Sequence, residues 1–191
     1  MGNSLITKKK IALSLKRLMM ATPFEKISIV EIMENANIRR QTFYSHFLDK
    51  YDLVEWIFQN ELNEQIYDNL DYVSAENLLA QLAYFLESNQ EFYEKVFEFN
   101  GQNNFQHYFY VYCQSIVTKI IKDSCSKSSL NEADEAYDFL IDYHSRALSI
   151  SYQQLLSEMD VATFVKNIPL IIKTIRFGVQ GANQERKLNQ E

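Results

Sequence analysis

Apolar residues recur at three- and four-residue spacing along nearly the whole chain, the period of an amphipathic helix. The first such segment runs from about Ser4 to Ala21, where Ile11, Leu15, Leu18 and Met19 share one stripe. Thr22-Pro23 breaks it. Ser28, with Glu31 three residues on, has the form of a capping box and starts a second helix with apolar positions Ile29, Ile32, Met33 and Ala36. Asn37 follows, a residue that tolerates left-handed dihedrals and can turn the chain where glycine often does. A third, shorter helix is predicted from about Arg39 to Phe47. Phe43 and Phe47 stand four apart and must face inward, which leaves Gln41, Tyr44 and Ser45 outward, with Arg39, Arg40, Thr42 and His46 on the flanks. Three helices, a tight turn between the last two and a polar face on the third make a helix-turn-helix spanning roughly Ser28 to His46.

Beyond it, Asp49 or Asp52 caps a long fourth helix expected to reach Leu70, in which Leu53, Ile57, Leu62, Trp56 and Phe58 lie on more than one side. Further helices are predicted at about Ala75 to Glu87, Gln90 to Phe99, Phe105 to Lys122, Glu132 to Glu158 and Val161 to Phe177. Polar loops separate them at 100–104 and 124–129. Pro169 should kink the last helix or mark a late start, and the polar tail after Gly178 is expected to fray. The fold class expected is therefore all-α, a three-helix unit over residues 1–50 joined to a larger helical body over 51–191.

Composition supports this reading. Glycine and proline total six among 191 residues, too few for the tight turns of a sheet-rich chain, and 47% hydrophobic residues suffice for a sizeable core. Cys113 and Cys125 stand twelve apart without a CxxC pair, so free buried thiols are expected rather than a disulfide or a thiolate metal site. His107 and His144 are isolated, and no metal is expected. The glycines at 2, 101, 178 and 181 exclude a phosphate-cradling loop or a dinucleotide fingerprint, no spacing suggests a catalytic triad, and neither cofactor nor enzymatic activity is expected. No apolar run approaches the length of a membrane span and no signal-peptide core opens the chain, so a cytoplasmic protein without a membrane partner is expected.

Charge sharpens the picture. The net charge of −6 hides an asymmetry: residues 1–50 carry nine bases against four acids, and the rest carries ten against 21. A basic module on an acidic body suits a protein of which one end alone meets phosphate. The run Lys8-Lys9-Lys10 is either an arm to the DNA backbone or a solvated face.

The run from Ile38 to Phe47 (Ile-Arg-Arg-Gln-Thr-Phe-Tyr-Ser-His-Phe), followed by Asp49-Lys50, resembles the DNA-binding region of the TetR family of bacterial regulators. The likeness extends back through Ile27-Ser28-Ile29 and Ile32-Met33, covering about 50 residues. It implies an all-helical homodimer, paired through its last two helices, whose carboxy-terminal domain often holds a small effector. Two departures stand out, since the family usually has glycine at the place of Asn37 and a small residue at that of Gln41. Carried over by position, the resemblance makes Ser28, Thr42, Tyr44, His46 and Lys50 phosphate contacts, and Arg39, Arg40, Gln41 and Ser45 candidates for base edges. Arginine in a major groove most often seeks guanine, and Gln41 can hold adenine bidentately.

The body holds 22 aromatics, ten Phe, eleven Tyr and Trp56, clustered at Phe92-Tyr93, Phe97, Phe99, Phe105 and Tyr108-Phe109-Tyr110-Tyr112. Core packing accounts for most of them, while Phe92, Tyr93, Phe97, Tyr108 and Tyr112 are candidates to line an effector pocket. The Ile-Arg-Arg-Gln-Thr-Phe-Tyr core, the Trp56-Ile57-Phe58 stretch and the aromatic body also resemble Gram-positive regulators related to the activator of the dihydroxyacetone kinase operon. That likeness implies an effector sensed by a partner protein. For the dimer seam the apolar surplus on the last two helices points to Leu140, Leu148, Leu155, Phe164, Ile168, Ile171 and Ile175. Expected partners are thus operator DNA, a second copy and either a small effector or a co-regulator protein. The rival reading is a helical interaction or ligand-carrier protein whose basic end binds an acidic partner.

Overall fold

A computed structural model describes residues 2–65, 73–98, 105–125, 135–158 and 160–188. Among them there is no strand, and the helices are α1 (Gly2–Met19), α2 (Ile29–Asn35), α3 (Arg40–Tyr44), α4 (Lys50–Gln65), α5 (Ala75–Ser88), α6 (Gln90–Phe97), α7 (Phe105–Cys125), α8 (Glu135–Ser157) and α9 (Val161–Leu188). A single 3-10 turn, Phe24–Lys26, follows Pro23 between α1 and α2. None of these helices is long and apolar enough to cross a membrane. The fourth helix is described to Gln65, so its expected end at Leu70 lies outside the described residues, as do most of the polar loops expected at 100–104 and 124–129.

The chain divides into two compact units, Met1–Asp68 with Asn89–Phe105, and Asn69–Ser88 with Gln106–Glu191. The boundary expected at residue 50 falls within the first unit, which takes in α4 and α6 as well as α1, α2 and α3.

In the first unit Ile11, Leu15 and Met19 of α1 are buried with Ile32 and Met33 of α2, Phe43 of α3 and Leu53, Ile57 and Phe58 of α4. Buried Ser14 adds a polar tie, its hydroxyl donating to the Ile32 carbonyl at 2.6 Å. Asp49 caps α4 by accepting from the backbone N–H of Tyr51 and Asp52, at 2.8 and 2.9 Å. Helix α6 is bound in two places to the carboxy-terminal end of α1. Its Lys95 ammonium donates to the carbonyls of Met19 and Met20, 2.8 and 3.2 Å away, where the end of α1 leaves acceptors unused. At the other place, Lys16 pairs with Glu61, which also accepts from the Tyr93 hydroxyl at 3.2 Å. Burial, with Glu61 beside it, pushes the Tyr93 hydroxyl pKa well above its ordinary value.

The second unit packs α8 and α9 together and against α5. Tyr152 lies fully buried on α8, its hydroxyl donating to the Leu79 carbonyl at 2.7 Å and its ring 4.7 Å from that of Phe164. Where α8 and α9 cross, a Cβ on Gly178 would come within 2.8 Å of Leu140 Cδ2, so a larger residue there would have to displace that methyl group. The tail expected to fray instead continues α9 through Pro169 to Leu188, because Val179 and Asn183 are buried and Asn183 donates to the Val179 carbonyl. Cys113 is buried as expected, which pushes its thiol pKa far up. The Cys125 side chain lies outside the described residues.

Asn37 has φ +55°, alone among the described non-glycine residues in being positive. Its N–H donates to the Glu34 carbonyl and that of Ile38 to the Met33 carbonyl, both at 3.0 Å, the paired bonds of a Schellman ending. Asn37→Ala should cost about 1 kcal/mol through the left-handed backbone, and Asn37→Gly should be neutral or slightly stabilising, both read by urea denaturation. Equal stability of the three proteins would show that the turn carries no such strain.

Candidate nucleic-acid interface

Two local devices set α2 and α3. Ser28 caps α2 through a complete box: its hydroxyl accepts from Glu31 N–H at 3.2 Å, and the Glu31 carboxylate accepts from the Ser28 N–H at 2.8 Å and from its hydroxyl at 2.7 Å. The Ser28 hydroxyl proton is thereby already committed within the chain. After the Asn37 turn, α3 begins with extended Arg39 at its cap and runs five residues.

Phe43 on α3 is wholly buried and Phe47 nearly so, as the four-residue spacing requires, their rings 5.5 Å apart. Arg39, Arg40, Gln41, Tyr44 and Ser45 are exposed, with Thr42 and His46 half-buried. Tyr44 stands edge-on to Phe43 and its hydroxyl lies 3.5 Å from Arg40 Nη2. Ser45 donates to the Thr42 carbonyl at 2.7 Å, which leaves its oxygen as an acceptor. The structure thus brings eight of the nine expected contact residues onto α3, its flanks or the start of α2. The exposed face offers two guanidiniums, an amide and hydroxyls, and α3 itself carries no acid.

Lys50 differs. Its ammonium donates to the carbonyls of Phe24, Glu25 and Ile27 at 2.8, 3.0 and 2.9 Å, and lies 4.7 Å above the Phe24 ring. An ammonium has three donors, and in this structure all three are directed at carbonyls of the chain. Burial lowers its pKa, with Glu25 and Glu31 acting in the opposite direction. Nothing local in the sequence announces this, because the acceptors lie 23 to 26 residues away. Lys8 is likewise no free arm, its ammonium sitting 5.1 and 5.4 Å over the rings of Phe47 and Trp56.

The five residues expected around an effector fall into both units. Phe92, Tyr93 and Phe97 are buried in the first, where Tyr93 meets Phe92 and Phe58 edge-on at 5.0 and 5.8 Å and Phe97 meets Phe105 edge-on at 5.0 Å. Tyr112 is buried and Tyr108 half-buried in the second. A groove of about 210 Å³ does lie in the first unit, between α1 and α4, lined by Leu13, Lys16, Trp56 and Glu61 among others, none of them expected.

The residues expected at the dimer seam lie mostly inside the chain. Leu140, Leu148, Leu155, Phe164, Ile168 and Ile175 are buried within the single chain, and Ile171 is half-buried, so this stripe serves the chain's own core. Phe139, Tyr143 and Ile150 on α8 and Leu170 and Phe177 on α9 are instead 54% to 65% exposed, on the opposite stripe. Their signal in the sequence was the same helical spacing, offset to the other face.

Residues 73–159 match a family model for a transcriptional regulator C-terminal region of the TetR type. The chain is 38% identical over 148 residues to the HTH-type dhaKLM operon transcriptional activator DhaS of Lactococcus lactis subsp. lactis (strain IL1403), covering 78% of each protein. Among solved structures it resembles the dihydroxyacetone kinase operon activator DhaS, with TM-score 0.68 and 33% identity over 92% of this chain and 97% of that one. Native NalD, the secondary repressor of the MexAB-OprM multidrug efflux pump in Pseudomonas aeruginosa, shares the fold at TM-score 0.53 and 16% identity, over 91% and 96% of the two chains.

The Ser28 backbone and hydroxyl bonds hold the Glu31 carboxyl below its ordinary pKa of 4.5. A depressed carboxylate stabilises the fold above its unfolded pKa and loses that effect as pH falls through the folded value. The Ser28 amide should therefore exchange faster as pH drops below about 4.5, beyond the intrinsic rate change, and Glu31→Gln should remove that dependence in an NMR exchange series.

Proposed function

Since this chain belongs to the TetR family of transcriptional regulators, we propose that it binds a pseudo-palindromic operator as a dimer and that α3 is its reading helix. The observation that carries the reading is the orientation of α3, with Phe43 buried and Arg39, Arg40, Gln41 and Tyr44 in water. Two such helices about one helical turn, roughly 34 Å, apart would enter successive major grooves. Arg39, Arg40 and Gln41 then face base edges, while Thr42, Tyr44 and His46 position the phosphate backbone. Ser28 and Ser45 contribute as acceptors or through water, their protons being committed within the chain.

The dimer pairs the outer stripe of α8 and α9, Phe139, Tyr143, Ile150, Leu170 and Phe177. Exposed apolar side chains at helical spacing on two adjacent helices need a cover, and a two-fold partner supplies the same surface. Within the class, an activator under the control of a partner protein is favoured over a repressor with its own ligand pocket. The name of the relative from Lactococcus lactis supports activation, and the close ring contacts of Phe92, Tyr93 and Phe97 support a filled core at three of the five candidate pocket positions. The protein would act in the cytoplasm, where the DNA is, and perform no chemistry of its own.

Gel-shift with DNA from upstream of the gene tests the reading: a regulator retards that fragment at physiological salt in preference to random duplex, and a carrier protein retards neither. Gln41→Ala should relax base preference at one position by about 1–3 kcal/mol, whereas Tyr44→Ala should weaken specific and random binding alike. The reverse pattern would exchange the two roles. In sedimentation, Phe177→Glu should give a folded monomer and Ile168→Glu an unfolded chain; a folded monomer from Ile168→Glu would return the seam to the inner stripe.

A further inference from the structure

We infer that Lys50 is a positioning residue for the reading helix, a clamp that closes the helix-turn-helix into a loop, and not one of the phosphate ligands. The inference rests on the DNA-reading assignment of α3. Lys50 is the first residue of α4, and its ammonium meets the carbonyls of Phe24, Glu25 and Ile27 at 2.8, 3.0 and 2.9 Å. The chain between clamp and acceptors contains all of α2, the Asn37 turn and α3. A single cation therefore fixes the entry of the motif to its exit.

The geometry demands a cation of this shape. Three carbonyl oxygens directed at one point repel one another unless a positive charge stands there. A tetrahedral ammonium can give each of them one proton, whereas a planar guanidinium directs its donors along a fork. The Phe24 ring, 4.7 Å beneath the nitrogen, and the Tyr51 ring at 5.8 Å close the site on two further sides. A phosphate could recruit this ammonium only by drawing it off these three carbonyls. Around Lys50 the start of α4 is ordered by Asp49, which accepts from the Tyr51 and Asp52 N–H groups, and by Asp52, whose carboxylate accepts from the Leu48 N–H at 2.8 Å. With α4 so fixed, the clamp transmits its position to the turn that precedes α2.

The two roles give different signatures in the full-length protein. Affinities for the upstream fragment and for random duplex would be measured over a series of salt concentrations, well below the melting temperature, for wild type, Lys50→Met and Lys50→Arg. A lost clamp lets α3 shift, so both variants should lose about tenfold in operator affinity and much less in random binding, with the salt slope unchanged. Amide exchange over residues 24–31 should quicken in both. A phosphate ligand behaves otherwise: Lys50→Met would lower the slope by about 0.9 and weaken both DNAs equally, and Lys50→Arg would restore binding. That result overturns the inference, as does a lowered melting temperature with an unchanged operator-to-random ratio. In wild type, which is free of any folding defect, the 15N signal of the Lys50 ammonium should keep its position when operator is added; a shift to a phosphate-bonded environment would also overturn it. Should wild type fail to prefer the upstream fragment, the reading assignment falls first and this inference with it, an outcome distinct from all the others.

Discussion

A helix of five residues makes hardly more than one full turn of its own hydrogen bonds, and in water such a segment does not persist without outside support. In this molecule the support for α3 is the burial of Phe43, with Phe47 packed beside it beyond the end of the helix. Fixing Phe43 fixes the rotation of the helix, and the rotation decides which groups are left for a partner. Everything proposed about DNA follows from that one orientation. The flanking devices, the Ser28–Glu31 box, the Asn37 turn and the Lys50 clamp, limit where along the head the helix can sit; the phenylalanine limits how it is turned.

The parts of this arrangement that depend on neighbours in the chain were legible in the sequence. A capping box, an asparagine in a left-handed turn and two phenylalanines four apart each announce themselves within a few residues, and each stands in the structure where the pattern put it. The parts that depend on distant neighbours were not. Lys50 reads as a basic residue after a reading helix, and only the fold brings three carbonyls to it. The extent of α9 was misread for the same reason, since Pro169 and Gly178 signal an ending that the burial of Val179 and Asn183 overrides.

The dimer seam shows a different limit. Helices α8 and α9 carry apolar residues on two faces, one for their own unit and one exposed, and periodicity assigns neither face to either purpose. Leu140 and Phe139 are neighbours in sequence, and one is buried while the other is 65% exposed. Each face carries both aromatic and aliphatic residues, with Tyr152, Phe164 and Leu140 buried and Phe139, Phe177 and Leu170 exposed, so composition alone does not foretell the division. Gly178 is part of the inner arrangement, where it lets α9 approach Leu140 closely.

The unit that bears α3 is discontinuous, for its core takes in α6, which begins at Gln90 after α4 ends at Gln65, through Lys95, Tyr93 and the ring of Phe105. A chain leaving the ribosome from its amino terminus therefore cannot complete this unit when α4 has emerged. Phe58, which meets Tyr93 and Phe105, must wait for them while α5, a part of the other unit, is threaded out in between. The two units are thus interleaved in the order of synthesis, and the unit that bears α3 reaches its final packing only after more than half of the protein has been made.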